Sequence, residues 1–121
     1  MRRVVEFRSY NLRAGERDAF HRLAAGRSIP MLLRHGVDVV AFGPSLHDAS
    51  SYYLIRAFPS LEDRERSEEA FYGSAEWREG PREAILALIE SYATIVLELD
   101  DSALAGLRRP LATIDARESE A

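Results

Sequence analysis

The chain has no cysteine and no lysine, and both gaps narrow its chemistry. Without cysteine there are no disulfides, thiolate nucleophiles, iron–sulfur clusters or cysteine-ligated zinc. Without lysine there is no Schiff base, hence no pyridoxal-phosphate mechanism, and no lysine general base; all sixteen basic residues are arginine. Long apolar runs are missing as well, since no stretch approaches the roughly 18 residues that a membrane-spanning helix needs. The start, Met1-Arg2-Arg3-Val4-Val5-Glu6, passes from two arginines into an alternating strand without the apolar segment and cleavage site of a signal peptide. A soluble, cytoplasmic protein without membrane partners is the expectation. There is no basic stripe either: the sixteen arginines are interspersed with twenty acids for a net charge of -4, which argues against nucleic acid as a partner. Glycines fall singly at turns, with no phosphate-binding loop. His21, His35 and His47 are too widely spaced for a metal constellation, so neither metal nor cofactor is expected.

What is present is 121 residues, 46% hydrophobic and 30% charged, the size and balance of one domain with a single core. Residues 4–12 read as a strand. After the Ala14-Gly15 turn, Phe20, Leu23, Ala24 and Met31 recur at helical spacing. Pro30 should kink that helix, or restart it with Ser28 as cap and Pro30 early in the new turn. Gly36 is a good stop. Val37 to Phe42 is β-branched and aromatic, a second strand, and Ser45 to Ser50 is a polar hairpin tip before a third strand from Ser51 to Phe58. Ser60-Leu61-Glu62-Asp63 resembles a capping box and opens a second helical region whose middle, Arg64 to Glu69, reads as a solvated charged face. From Pro81, Ile85, Leu88, Ile89 and Tyr92 fall on one helical stripe. Ala93 to Asp100 alternates as a fourth strand. Residues 101–121 form a tail, a short helix around Leu104 and Leu107 and then disorder, with Leu111 and Ile114 about Pro110. As an apolar tail it suits docking on its own or a neighbouring subunit.

The order is β-α-β-β-α-β, an α+β ferredoxin-like fold with one four-stranded antiparallel sheet covered by helices on one face, spanning residues 1–100. The alternation of Glu6-Phe7-Arg8-Ser9-Tyr10 puts Glu6, Arg8 and Tyr10 on one face and Val5, Phe7 and Ser9 on the other. If the greasy side packs on helices, the bare side would carry Val4, Glu6, Arg8, Tyr10, Val40, Phe42, Tyr52, Leu54, Arg56, Phe58, Val96 and Glu98. Such a mixed surface would be covered by a second copy, sheet to sheet, in a homodimer.

Three blocks resemble the NIPSNAP family within the dimeric α/β-barrel superfamily. They are Val5-Glu6-Phe7-Arg8-Ser9-Tyr10-Asn11-Leu12-Arg13-Ala14-Gly15, Ile29-Pro30 to Arg34-His35-Gly36, and Ala70-Phe71 to Glu76-Trp77. The likeness covers roughly residues 4 to 99, with Ala14 where the family often has Pro. It implies a ferredoxin-like protomer, a dimeric α/β barrel, and a pocket between sheet and helices or inside the barrel. Monooxygenases without cofactors, haem-degrading enzymes, decarboxylases and isomerases share the superfamily, and fold analogy does not select among them.

The candidate catalytic residues are Glu6, exchanging a proton, Arg8, holding an anionic or carbonyl oxygen, and Tyr10, donating a hydrogen bond. Phe42, Tyr52, Arg56 and Trp77 are the candidate substrate-binding residues. The same charges also suit an ion-pair network that fixes the sheet. His21 could face the pocket as a base or haem ligand or simply pack, and His47-Asp48 could be a dyad or only a turn. One reading is therefore small-molecule binding, with oxygenase or isomerase-type chemistry free of cofactors. The other is a non-catalytic dimeric interaction module. An open cavity on the order of 300 Å³ or more with unpaired polar groups favours the first, and interlocked Glu–Arg pairs without a void favour the second.

Overall fold

The computed structural model describes residues 1–113. Strands β1 (Arg2–Leu12), β2 (Asp38–Pro44), β3 (Ser51–Phe58) and β4 (Ile89–Asp100) form one sheet in the order β2-β3-β1-β4. Every pairing is antiparallel, so the ferredoxin-like topology is the observed one. Helices α1 (Arg17–Leu23) and α2 (Ile29–Arg34) join β1 to β2, while α3 (Leu61–Tyr72), α4 (Ala75–Glu79) and α5 (Arg82–Leu86) join β3 to β4. A last helix, α6 (Asp101–Leu107), follows β4. Disorder expected toward the end of the tail falls on residues 114–121, outside the described residues.

Local chemistry explains most boundaries. Pro30 lies in the first turn of α2, where a missing N–H is harmless, and a π-helical stretch, Ala24–Ser28, takes up the break from α1. Ser28 holds the cap position without making a capping hydrogen bond. Gly36 ends that helix with φ of +79°, a left-handed conformation that glycine adopts without a Cβ penalty. Ser60 Oγ accepts from the Asp63 backbone N–H at 3.1 Å and donates to the Asp63 carboxylate at 3.0 Å, closing the box that starts α3. The stripe through Ile85, Leu88, Ile89 and Tyr92 is not one helix. It breaks after Leu86, and β4 begins at Ile89 because β1 offers partners that far along, with Leu12 opposite Ile89 and Tyr10 opposite Tyr92. Twelve residues of ladder outweigh two more turns of helix.

The faces of the sheet are the reverse of the sequence expectation. Val4, Tyr52, Leu54 and Phe58 pack with Phe20, Ile29, Met31, Leu32, Phe71, Trp77 and Ile85, so the face of Glu6, Arg8, Tyr10 and Arg56 is the one under the helices. Val5, Phe7, Tyr53, Ile55 and Ala57 lie on the opposite side, where Leu104 and Leu107 of α6 and Leu99 pack against them. The cause lies in α3, which has Phe71 as its one buried residue and no apolar stripe. A helix that lays Arg64, Glu68 and Tyr72 on a sheet needs polar partners beneath it, and only this face has them. Two members of the expected bare face behave differently. A bulge between Val39 and Ala41 turns Val40 to the α6 side while Phe42 stays under the helices. Glu98 is exposed and pairs with Arg2 at 2.6 Å.

Candidate functional site

The centre of the site follows from strand register. Glu6 of β1 stands directly across from Arg56 of β3, and both are 0% exposed. Arg56 donates through Nε to Glu6 Oε1 at 2.9 Å and also through Nη2 to the same oxygen. Arg64, reaching down from α3, donates through Nε to Glu6 Oε2 at 2.8 Å. Both carboxylate oxygens of Glu6 are therefore occupied. Burial alone would push the Glu6 carboxyl up, but a hydrogen bond with Glu68 and the charges of Arg56 and Arg8 together bring it down to about 2.

Arg8, one position further along the same face, is less well served. Its Nε donates to Thr94 Oγ1 at 3.3 Å and its Nη1 to the Tyr72 hydroxyl at 3.4 Å, both long. Its ion contacts with Glu6 and Glu68 are at 3.9 and 3.8 Å. The guanidinium lies over the Tyr92 ring, 5.0 Å from the centroid. The Tyr72 hydroxyl accepts from Arg56 Nη1 at 2.9 Å, so it links the two arginines.

Glu68 completes the cluster from α3. Burial and the hydrogen bond with Glu6 push its carboxyl up, Arg56 and Arg64 oppose them, and it comes to rest at about 7. The charge on Glu6 makes its neighbour Glu68 harder to ionise. Its Oε2 is buried and finds no donor, although Arg64 Nε is 3.2 Å away, because that N–H is directed at Glu6. The opposite displacement of the two carboxyls follows from their coupling, with Glu6 taking the arginine donors and Glu68 left with the burial cost.

Beside this cluster is a cavity of about 430 Å³ bounded by Arg8, Tyr10, Glu68, Tyr72, Trp77, Arg82, Ile85, Leu86, Ile89 and Tyr92. Burial raises the Tyr10 hydroxyl to about 12, so it remains a donor at neutral pH. Of the residues singled out from sequence, Arg8, Tyr10 and Trp77 reach this cavity, and Glu6 and Arg56 lie behind it. Phe42 and Tyr52 do not line it. They pack instead around His21, whose Nδ1 is 2.7 Å from the Tyr52 hydroxyl and whose ring is 6.3 Å from that of Phe42. His21 is thus a partner of the core rather than a cavity residue. The Asp48 carboxylate accepts from the Ser50 and Ser51 backbone N–H groups at 3.0 and 2.7 Å, which makes His47-Asp48 a turn. Among the described residues no group of three or more His, Asp or Glu side chains is placed to hold a metal ion, and no helix is long and apolar enough to cross a membrane.

Sequence reasoning read Arg64 and Glu68 as a solvated face and so missed that they join Tyr72 in the site. Their four-residue spacing puts all three on one side of α3, and the signal was available: a helix with no apolar stripe that must still cover a sheet has to turn a polar stripe inward.

Comparison with known proteins places this geometry in context. Residues 5–101 match the NIPSNAP family model. No curated protein matches the chain. Among solved structures, a NIPSNAP family protein from Agrobacterium tumefaciens superposes with a TM-score of 0.75 at 20% identity, covering 82% of this chain and 87% of the other. A NIPSNAP-like domain protein from Burkholderia xenovorans gives 0.71 at 21% identity and 93% coverage of each chain. A candidate antibiotic biosynthesis monooxygenase from Bordetella bronchiseptica gives 0.60 at 19% identity, with 84% and 98% coverage. At these identities the likeness is one of fold.

Proposed function

This chain belongs to the NIPSNAP family, and from that premise we propose that it binds a small anionic or carbonyl-bearing molecule in the cavity between sheet and helices. The observation that carries the reading is Arg8, a charged group at the cavity wall whose hydrogen bonds are long and whose ion contacts lie beyond hydrogen-bond distance. Such a guanidinium gains from a ligand oxygen. Tyr10, Trp77 and Tyr92 supply aromatic walls suited to a flat molecule. The chemistry that fits is the handling of protons and oxygen anions by side chains alone.

Trp77 is the one tryptophan of the chain and lines the cavity, so its fluorescence reports occupancy. Benzoate, a flat anion, should change that emission saturably, and Arg8→Ala should weaken the effect roughly tenfold or more while the protein stays folded. An emission that does not saturate, or an Arg8→Ala protein that binds as well as the parent, removes the reading.

Homodimerisation through the open sheet face is the second part of the proposal. Ile95 and Leu97 of β4 are 61% and 46% exposed there, beside Phe7, Tyr53 and Ile55, an apolar surface unsuited to water. Leu97→Glu should convert a dimer to a monomer on gel filtration. The Glu6–Arg56–Arg64 interlock favours the alternative, a non-catalytic interaction module in which the charges only hold the protomer together. Benzoate binding at Arg8 decides between the two.

A further inference from the structure

The cavity holds a carboxyl that the binding reading does not use. Glu6 is sealed under α3 with both oxygens engaged by Arg56 and Arg64, whereas Glu68 lines the open space, its Oε1 held only by a 3.8 Å ion contact with Arg8 and its Oε2 buried without a donor. Resting on the small-molecule reading of the same site, we propose that Glu68 transfers a proton for this cavity. Its substrate would be a small 2-oxo acid, with the enolate oxygen held by Arg8 and the carboxylate by Arg82.

The groups facing Glu68 give the roles. Arg64 and Tyr72 come from its own helix, Glu6 and Arg8 from β1, and Arg56 from β3. Burial and Glu6 raise this cavity-lining carboxyl while Arg56 and Arg64 lower it, which leaves it between its two forms near neutral pH, as suits a group that both takes and returns a proton. In the step, the ionised Glu68 takes a hydrogen from the carbon beside the ketone. The C–H bond breaks, its electron pair becomes the C=C bond, the carbonyl π pair moves onto oxygen at Arg8, and an O–H bond forms on Glu68. Return of that proton to oxygen gives the enol, and return to carbon restores the ketone. No oxidant or reductant is needed. The choice of a 2-oxo acid follows from the count of cations on the wall: Arg8 and the exposed Arg82 match a carboxylate plus a developing enolate, with Tyr10, Trp77 and Tyr92 enclosing the rest.

Phenylpyruvate is the probe, because its benzylic hydrogens are acidic and its size suits the cavity. Its exchange with deuterium oxide at neutral pH is followed by proton NMR, and line broadening reports binding in the same tube. The full chain should accelerate exchange over buffer. Glu68→Gln, which keeps the shape of the protonated form, should bind the probe but lose about 100-fold or more of the acceleration, with partial recovery in Glu68→Asp. Binding without protein-dependent exchange, or undiminished exchange by Glu68→Gln, overturns the proton-transfer role and leaves the binding site standing. Phenylpyruvate that fails to bind where benzoate binds overturns the substrate class. Failure of both probes to bind overturns this inference together with the binding reading.

Discussion

Arg56 and Arg8 lie on one face of one sheet, share the hydroxyl of Tyr72, and do opposite things. Arg56 is sealed, with Nε, Nη1 and Nη2 all donating to Glu6 or Tyr72. Arg8 is 12% exposed in its side chain and reaches its partners at long range. The carboxylates divide the same way: Glu6 is closed in and held ionised, while Glu68 stands at the cavity and holds a proton easily. One cluster therefore contains a structural half, in which donors and acceptors match, and a chemical half, in which they do not. The residue types are identical in both halves. What separates them is whether every polar atom has found its partner.

The comparison breaks most easily at Arg56. Arg56→Met should cost about 3 kcal/mol in urea unfolding, because it leaves Glu6 Oε1 buried without a donor and Arg64 alone on the other oxygen. Arg8→Met, losing only long contacts, should cost about 1 kcal/mol. Equal losses would mean that the two halves are one structural unit.

The next test uses pH. Glu68 is raised in the folded protein, so its contribution to stability is complete below the unfolded carboxyl value and is lost as pH rises toward about 7. Glu6 is lowered, so its contribution is present above the unfolded value and is lost as pH falls toward about 2. Between about pH 4.5 and about pH 7 the parent should therefore lose stability on alkalinisation, measured by urea midpoints, and Glu68→Gln should flatten that slope while leaving the acid limb in place. A slope in the variant as steep as in the parent would put the titrating group elsewhere.

How the two halves could be read from sequence differs as well. Glu6, Arg8, Tyr10 and Arg56 were legible because strand alternation assigns a face from spacing alone, and the third strand falls at Ser51–Phe58 as expected. Which side of the sheet that face looks toward was not legible. Polarity points inward or outward only when one side meets water, and here the polar side chains of Arg64, Glu68 and Tyr72 cover the polar face while the apolar face is left for α6 and, as proposed, a second copy. Glu68 itself was hidden in Arg64 to Glu69, where six successive polar residues look the same whether they face solvent or a buried carboxylate. Phe42 and Tyr52 share the right face but sit too near His21 and Phe20 to reach the cavity, a distinction of position along the strand that alternation does not carry.

The smallest effect belongs to a pair of the same chemistry outside the cluster. Arg108, just after α6, donates through Nη1 and Nη2 to the two carboxylate oxygens of Asp38, both at 2.8 Å. Its geometry is as good as that of Arg56 on Glu6. The difference is water: the Arg108 and Asp38 side chains are 44% and 30% exposed. Arg3 approaches the same carboxylate at 3.2 Å and would remain after Arg108 is removed. Arg108→Ala should therefore cost no more than about 1 kcal/mol in urea unfolding, with α6 still held by Leu104 on the sheet. If Arg108→Ala cost as much as Arg56→Met, bidentate geometry alone would explain the strength of these pairs. The contrast between a sealed half and an open half of the central cluster would then lose its physical basis, since burial is what makes an unpaired partner costly there and harmless here.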